Sequence, residues 1–155
     1  MMHLKYLKYF LLIFILTSCG FKLANLKNDY VISKITTSGD NRSGYKLKNK
    51  VLMTSVKGGK NEIELHIDTK INKSIKEKNI SNQISKYEIN VVTKVQYKSI
   101  KDEIIGTFTL SKTGDYNVSN SYSEMINKEK NLINSLINET SEDIVENLVF
   151  KFNDT

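Results

Sequence analysis

The stretch Tyr87-Glu88-Ile89-Asn90-Val91-Val92-Thr93-Lys94-Val95-Gln96-Tyr97-Lys98 decides the fold. Tyr87, Ile89, Val91, Thr93, Val95 and Tyr97 alternate with residues that are mostly polar. A two-residue side-chain period places one face on a core and the other in water, and the β-branched and aromatic content suits a pleated surface. Upstream, Ile63, Leu65, Ile67, Thr69 and Ile71 alternate with Glu62, Glu64, His66, Asp68 and Lys70 in the same way. Between these strands, residues 72–86 are polar with scattered isoleucines and read as a long hairpin connection or frayed strand ends. Ser99 to Asp102 forms a turn, and Ile104 to Ser111 a further strand. Lys112-Thr113-Gly114-Asp115 reads as another turn, after which Tyr116-Asn117-Val118 prolongs the strand beyond a bulge.

Farther out the period becomes helical. Tyr30 to Thr37 is a first strand, closed by turn residues Ser38-Gly39-Asp40-Asn41. Residues 42–57 then place Tyr45, Leu47, Val51, Leu52 and Val56 on one side of a helix that ends at Gly58-Gly59. From Ser123 to Val149, the residues Ile126, Ile133, Leu136, Ile137, Thr140, Ile144, Val145 and Leu148 recur along one stripe. Ser121 or Ser123 is the expected N-cap, with Glu124 near the positive end of the helix dipole. The order β-α-β-β-β-α implies an α+β domain, with two helices packed on one face of a four-stranded, mostly antiparallel sheet. The first strand reaches that sheet through a helix, which allows parallel pairing with a non-adjacent strand.

The amino terminus carries a different signal. Lys5 and Lys8 precede the apolar run Tyr9-Phe10-Leu11-Leu12-Ile13-Phe14-Ile15-Leu16, and Thr17-Ser18-Cys19 follows. This is the layout of a signal peptide spanning residues 1–18, and the run is shorter than the ~20 residues a membrane-crossing helix needs. The segment resembles the bacterial lipobox. That resemblance implies cleavage before Cys19, a diacylglycerol thioether on Cys19 and acylation of the new amino terminus. Several acyl chains would make the attachment stable, and, by resemblance to enterobacterial lipoprotein sorting rules, Gly20 in place of Asp after the cysteine favours the outer membrane. Residues 19–28 then form a lipidated tether, 29–150 a single domain and 151–155 a tail. Cys19 is the chain's only cysteine, so no intramolecular disulfide is available.

Further stretches resemble the LptE family of lipopolysaccharide-assembly lipoproteins. They are Cys19-Gly20-Phe21-Lys22-Leu23, Tyr30 to Ile35, Leu47-Lys48-Asn49-Lys50-Val51, Tyr87-Glu88-Ile89-Asn90-Val91, Tyr122-Ser123 and Asp143-Ile144-Val145-Glu146-Asn147-Leu148. The chain departs from the family in lacking a proline after Cys-Gly-Phe and in having lysine where arginine is usual. The resemblance implies a plug subunit on the periplasmic side of the outer membrane. It would sit 1:1 inside a large β-barrel, an LptD-like translocon, and help that barrel fold and insert lipopolysaccharide into the outer leaflet. An unrelated outer-membrane lipoprotein with a ligand- or envelope-binding role is the alternative.

No catalytic constellation emerges from the sequence. His66 and Asp68 share a polar strand face without a marked nucleophile, and His3 falls within the signal. The two histidines and one cysteine offer no metal spacing, and no cofactor is expected beyond the lipid on Cys19. Lys57-Gly58-Gly59-Lys60 ends a helix instead of opening one, unlike a phosphate-binding loop. Tyr87 and Tyr97, at strand spacing, read as core residues and not as stacking platforms, so no nucleic-acid partner is expected. The formal net charge is +6 and drops by two with the signal's lysines. Lys94, Lys98, Lys101 and Lys112 along the central hairpin are the candidate contacts for lipid A phosphates, which ammonium groups meet as point charges. The same lysines also read as an ordinary solvated face.

Overall fold

The structure, a computed structural model, describes residues 30–54, 59, 61–101 and 103–153. The expected signal peptide, Cys19, the tether and Lys57-Gly58 lie outside them. Among the described residues, six elements follow in the predicted order: β1 (Tyr30–Gly39), α1 (Asn41–Thr54), β2 (Asn61–Lys78), β3 (Ile84–Ser99), β4 (Ile105–Asn117) and α2 (Tyr122–Asn153). The strands form one sheet in sequence order, β1-β2-β3-β4. β2, β3 and β4 are antiparallel neighbours. β1 pairs in parallel with β2, its next strand in sequence, and not with a remote one. The parallel sense follows from α1, which carries the chain back along the sheet before β2 begins.

The alternation read from the sequence is the inside-outside pattern of the sheet. Ile63, Leu65, Ile67 and Thr69 of β2, with Ile89, Val91, Thr93 and Val95 of β3, are buried. Both helices cover this face: Gly44 of α1 approaches Thr37, and Leu132 and Leu136 of α2 lie over Gly114. Residues 72–78 and 84–86 belong to the strands, so the hairpin link shortens to Asn79–Gln83. Asn79 closes it, its side-chain oxygen accepting from the Ser81 and Gln83 amides at 3.0 and 2.9 Å.

Four expectations need correction. Lys112-Thr113-Gly114-Asp115 is not a turn. The β3–β4 register runs unbroken from Lys98↔Ile105 to Lys86↔Asn117, with no bulge. Gly114 is there because a Cβ would stand 2.7 Å from Leu132 Cδ1, a close approach that a strand glycine permits. Tyr45 and Leu52 of α1 face solvent, and α1 packs instead along Ser43, Gly44, Leu47 and Val51. Ile126 lies exposed at the start of α2. Residues 151–153, read as tail, are the last turn of α2, and Phe152 is buried with its ring 5.9 Å from Tyr30 and 5.5 Å from Tyr97.

Capping fixes where each helix starts. Asp40 Oδ1 accepts from the Ser43 amide at 2.8 Å, satisfying one of the free N–H groups of α1. Hydrogen bonds from Ser43 hold the Asp40 carboxyl below its usual range. Ser121, one of the two expected caps, accepts from the Glu124 amide at 3.4 Å. No helix among the described residues is long and apolar enough to cross a membrane.

Candidate functional site

Two surfaces carry chemistry: the uncovered sheet face and a cleft at the edge of the helix layer. On the uncovered face, Lys94 lies opposite Asp68 and Thr109, and Lys98 opposite Glu64 and Ile105. Lys34 stands across Glu64 on the other side. The sheet thus brings Lys94 and Lys98 onto one face, as read from their spacing, but sets a carboxylate beside each. Lys101 is exposed in the turn after β3. Lys112 belongs to the opposite, helix-covered face and is ion-paired with Asp143 of α2 at 2.7 Å. Its hydrogen bond to Asp143 raises the Lys112 pKa. The four lysines therefore do not form a single cluster. The signal that separates Lys112 was in the sequence: it keeps step with Phe108 and Leu110, the inward positions of β4.

His66 and Asp68 are joined through β1. His66 Nδ1 lies 2.9 Å from Thr36 Oγ1 and Nε2 lies 3.2 Å from Ser38 Oγ. Ser38 in turn donates to Asp68 Oδ1 at 2.8 Å. The serine proton is directed to the carboxylate and not to the imidazole, the reverse of the order that activates a nucleophile. The chain of bonds ties β1 to β2 across the exposed face. A shallow groove of about 310 Å³ runs beside it, lined by Lys34, Glu64, His66, Gln96 and Lys98 among others.

The cleft has a structural origin. α1 starts at Asn41, level with Thr69, whereas α2 extends along the sheet toward the β2–β3 hairpin. Beyond Thr69 the helix layer is one helix wide. The gap encloses about 500 Å³, with Ile71, Met125, Ile126 and Ile133 as apolar lining and Arg42, Lys46, Lys73 and Lys130 among its cations. Lys46 donates to Asn134, linking the two helices. Lys73 pairs with Glu129, which also accepts from the Tyr116 hydroxyl at 2.7 Å, and its ammonium lies 4.4 Å from the Tyr87 ring centroid. Burial opposes charge on Lys73 and Glu129, but their mutual hydrogen bond and the Tyr116 hydroxyl outweigh it. The lysine pKa rises and the carboxylate pKa falls. Sequence reasoning did not single out this cleft, because it depends on where α1 stops relative to α2.

The whole sheet-and-helix arrangement superimposes on rare lipoprotein B from Shewanella oneidensis with a TM-score of 0.61, at 9% identity, over 78% of this chain and 97% of that one. The chain has the rare lipoprotein B fold. Lipoprotein B from Nitrosomonas europaea matches with a TM-score of 0.56, at 14% identity, over 81% of this chain and 88% of that one. No protein-family model matches the sequence, and no curated protein is significantly similar to it. The likeness is one of fold alone. It survives at these identities because the inside-outside alternation constrains residue class and not residue identity.

Proposed function

We propose that this chain is an outer-membrane lipoprotein, anchored through Cys19, that serves as the plug subunit of a lipopolysaccharide translocon. The observation that carries the reading is the coincidence, in one chain, of the lipobox ending at Cys19 with a β-α-β-β-β-α domain of the rare lipoprotein B fold. The uncovered sheet face adds support. Thr107, Thr109, Ser111 and Thr113 of β4 and the mixed charges of β2 and β3 give it the polar character that a barrel lumen would meet. The work done is docking: the domain positions and steadies a barrel, and no bond is made or broken.

The test has two arms. Palmitate labelling should mark the parent protein and not Cys19→Ser. Affinity purification of the tagged chain from detergent-extracted membranes should return one large β-barrel protein near 1:1. Equal labelling of parent and variant, or purification without a stoichiometric barrel, would refute the reading.

A further inference from the structure

β1 leaves the sheet early. Gly39, at φ +81°, turns the chain away at Thr69, and the Asp40 amide donates to the Thr69 carbonyl at 2.7 Å as the last bond on that side. Only glycine fits here, because a Cβ would collide with that carbonyl oxygen. β2 nevertheless continues to Lys78, so among the described residues Lys70–Lys78 has no strand on its β1 side. In a strand the N–H and C=O of one residue point to the same side, and alternate residues point to opposite sides. The Thr69 carbonyl faces the β1 side, so the backbone groups of Ile71, Lys73 and Ile75 face it too. The cleft opens beside this free edge: Ile71 lines it, Ile126 is 44% exposed and Tyr122 74% exposed.

We propose that the free edge of β2 and the adjoining cleft together bind an extended, acidic segment of a partner polypeptide as a fifth strand, continuing the line of β1. Edge pairing would satisfy the backbone groups of Ile71, Lys73 and Ile75. Alternate apolar side chains of the incoming strand would enter the cleft over Ile71, Met125 and Ile126, the mode in which main-chain bonds supply affinity and side-chain pockets supply selectivity. Charge selects the occupant. Lys70 on the edge and Arg42, Lys46 and Lys130 at the cleft outnumber Asp40, the cleft's other carboxylate Glu129 being paired with Lys73, so the site favours carboxylates and repels basic strands. A lipid offers no backbone donors to such an edge, which favours a peptide over an acyl chain. This inference does not depend on the translocon reading, since any partner with such a segment would fit.

The test uses the full-length protein in detergent micelles and a fluorescent peptide, Glu-Val-Asp-Ile-Glu-Val-Asp, with a shuffled peptide of equal composition and lipid A as comparisons. The alternating peptide should bind saturably by anisotropy and slow hydrogen exchange of the Ile71, Lys73 and Ile75 amides at least tenfold. Binding should weaken at least tenfold in Ile75→Pro, which removes an outward N–H, and in Arg42→Glu with Lys130→Glu, which reverses surface charge only. Circular dichroism checks that each variant is folded. If Ile75→Pro unfolds, the charge-reversal pair and the exchange data decide. Absence of saturable binding, equal binding of the shuffled peptide, unchanged affinity in the charge-reversal pair, or the same amide protection by lipid A would overturn the proposal.

Discussion

Tyr30→Phe should stabilise the protein, and the reason lies in one oxygen atom. Tyr30 is fully buried against Phe152, and no hydrogen-bond partner among the described residues reaches its hydroxyl. A buried polar group left without a partner costs about 1–3 kcal/mol, against which the oxygen's own packing contributes less. The net gain on its removal should be about 1 kcal/mol at pH 7, or roughly 4 °C in Tm. Alkaline pH supplies an independent check. Burial pushes the Tyr30 phenol up from 10.0 to about 12. Above pH 10 the unfolded phenol loses its proton while the folded one retains it, so parental stability falls as pH rises through this window. At pH 11 the loss should be about 1.4 kcal/mol, absent from the variant, so the gap between the two should widen to more than about 2 kcal/mol. Urea denaturation followed by far-UV circular dichroism, run on both proteins at each pH, measures this. A variant less stable than its parent at pH 7, or a gap that stays constant up to pH 11, would refute the reasoning.

Gly39→Ala should destabilise by at least about 2 kcal/mol, since it forces a side chain into a left-handed backbone and against the Thr69 carbonyl; thermal melts will show it. Phe152→Ala should cost about 3–4 kcal/mol by emptying a buried aromatic site, whereas a tail residue would cost almost nothing in the same melt. Glu129→Gln should remove at most about 1 kcal/mol at neutral pH. The folded Glu129 pKa is depressed, so its contribution exists above the unfolded carboxylate pKa and disappears as pH falls through the folded value; acid titrations of the variant should therefore lose part of the parent's acid limb. Lys94→Glu combined with Lys98→Glu should weaken capture on immobilised lipopolysaccharide while leaving the melting curve close to the parent's, and undiminished capture would remove these two lysines from the lipid-contact set.

The strands were legible where chemistry alternated cleanly. Tyr87 to Tyr97 and Ile63 to Ile71 announced both their state and their buried face, because a core tolerates polar residues on one side only. β4 was harder: Gly114 and Asp115 are turn formers, yet Leu132 needs a flat spot in the sheet and Asp143 needs a cation, Lys112, beneath it. The α1 stripe was misread at Tyr45 and Leu52 because the helix meets the sheet through Ser43 and Gly44, small residues that a hydrophobic count passes over. On the uncovered face, Lys94 and Lys98 were placed correctly by parity, but their acidic cross-strand neighbours depend on register, which spacing within one strand does not encode. The cleft and the free edge arise from relative lengths, α1 against α2 and β1 against β2, and such offsets are settled only when the elements are assembled.

The parallel pairing of β1 also has a mechanical side. Tyr30 begins the strand at the end of the sheet where Phe152 finishes the last helix, so the chain enters and leaves the domain at one pole. A tug on the polypeptide ahead of Tyr30, directed away from that pole, runs along the β1 axis. Such a force loads the β1–β2 rungs together in shear instead of peeling them off singly, and the ring of Phe152 wedged beside Tyr30 resists the first slip. A domain moored through its amino terminus would in this way withstand being dragged by its own leash.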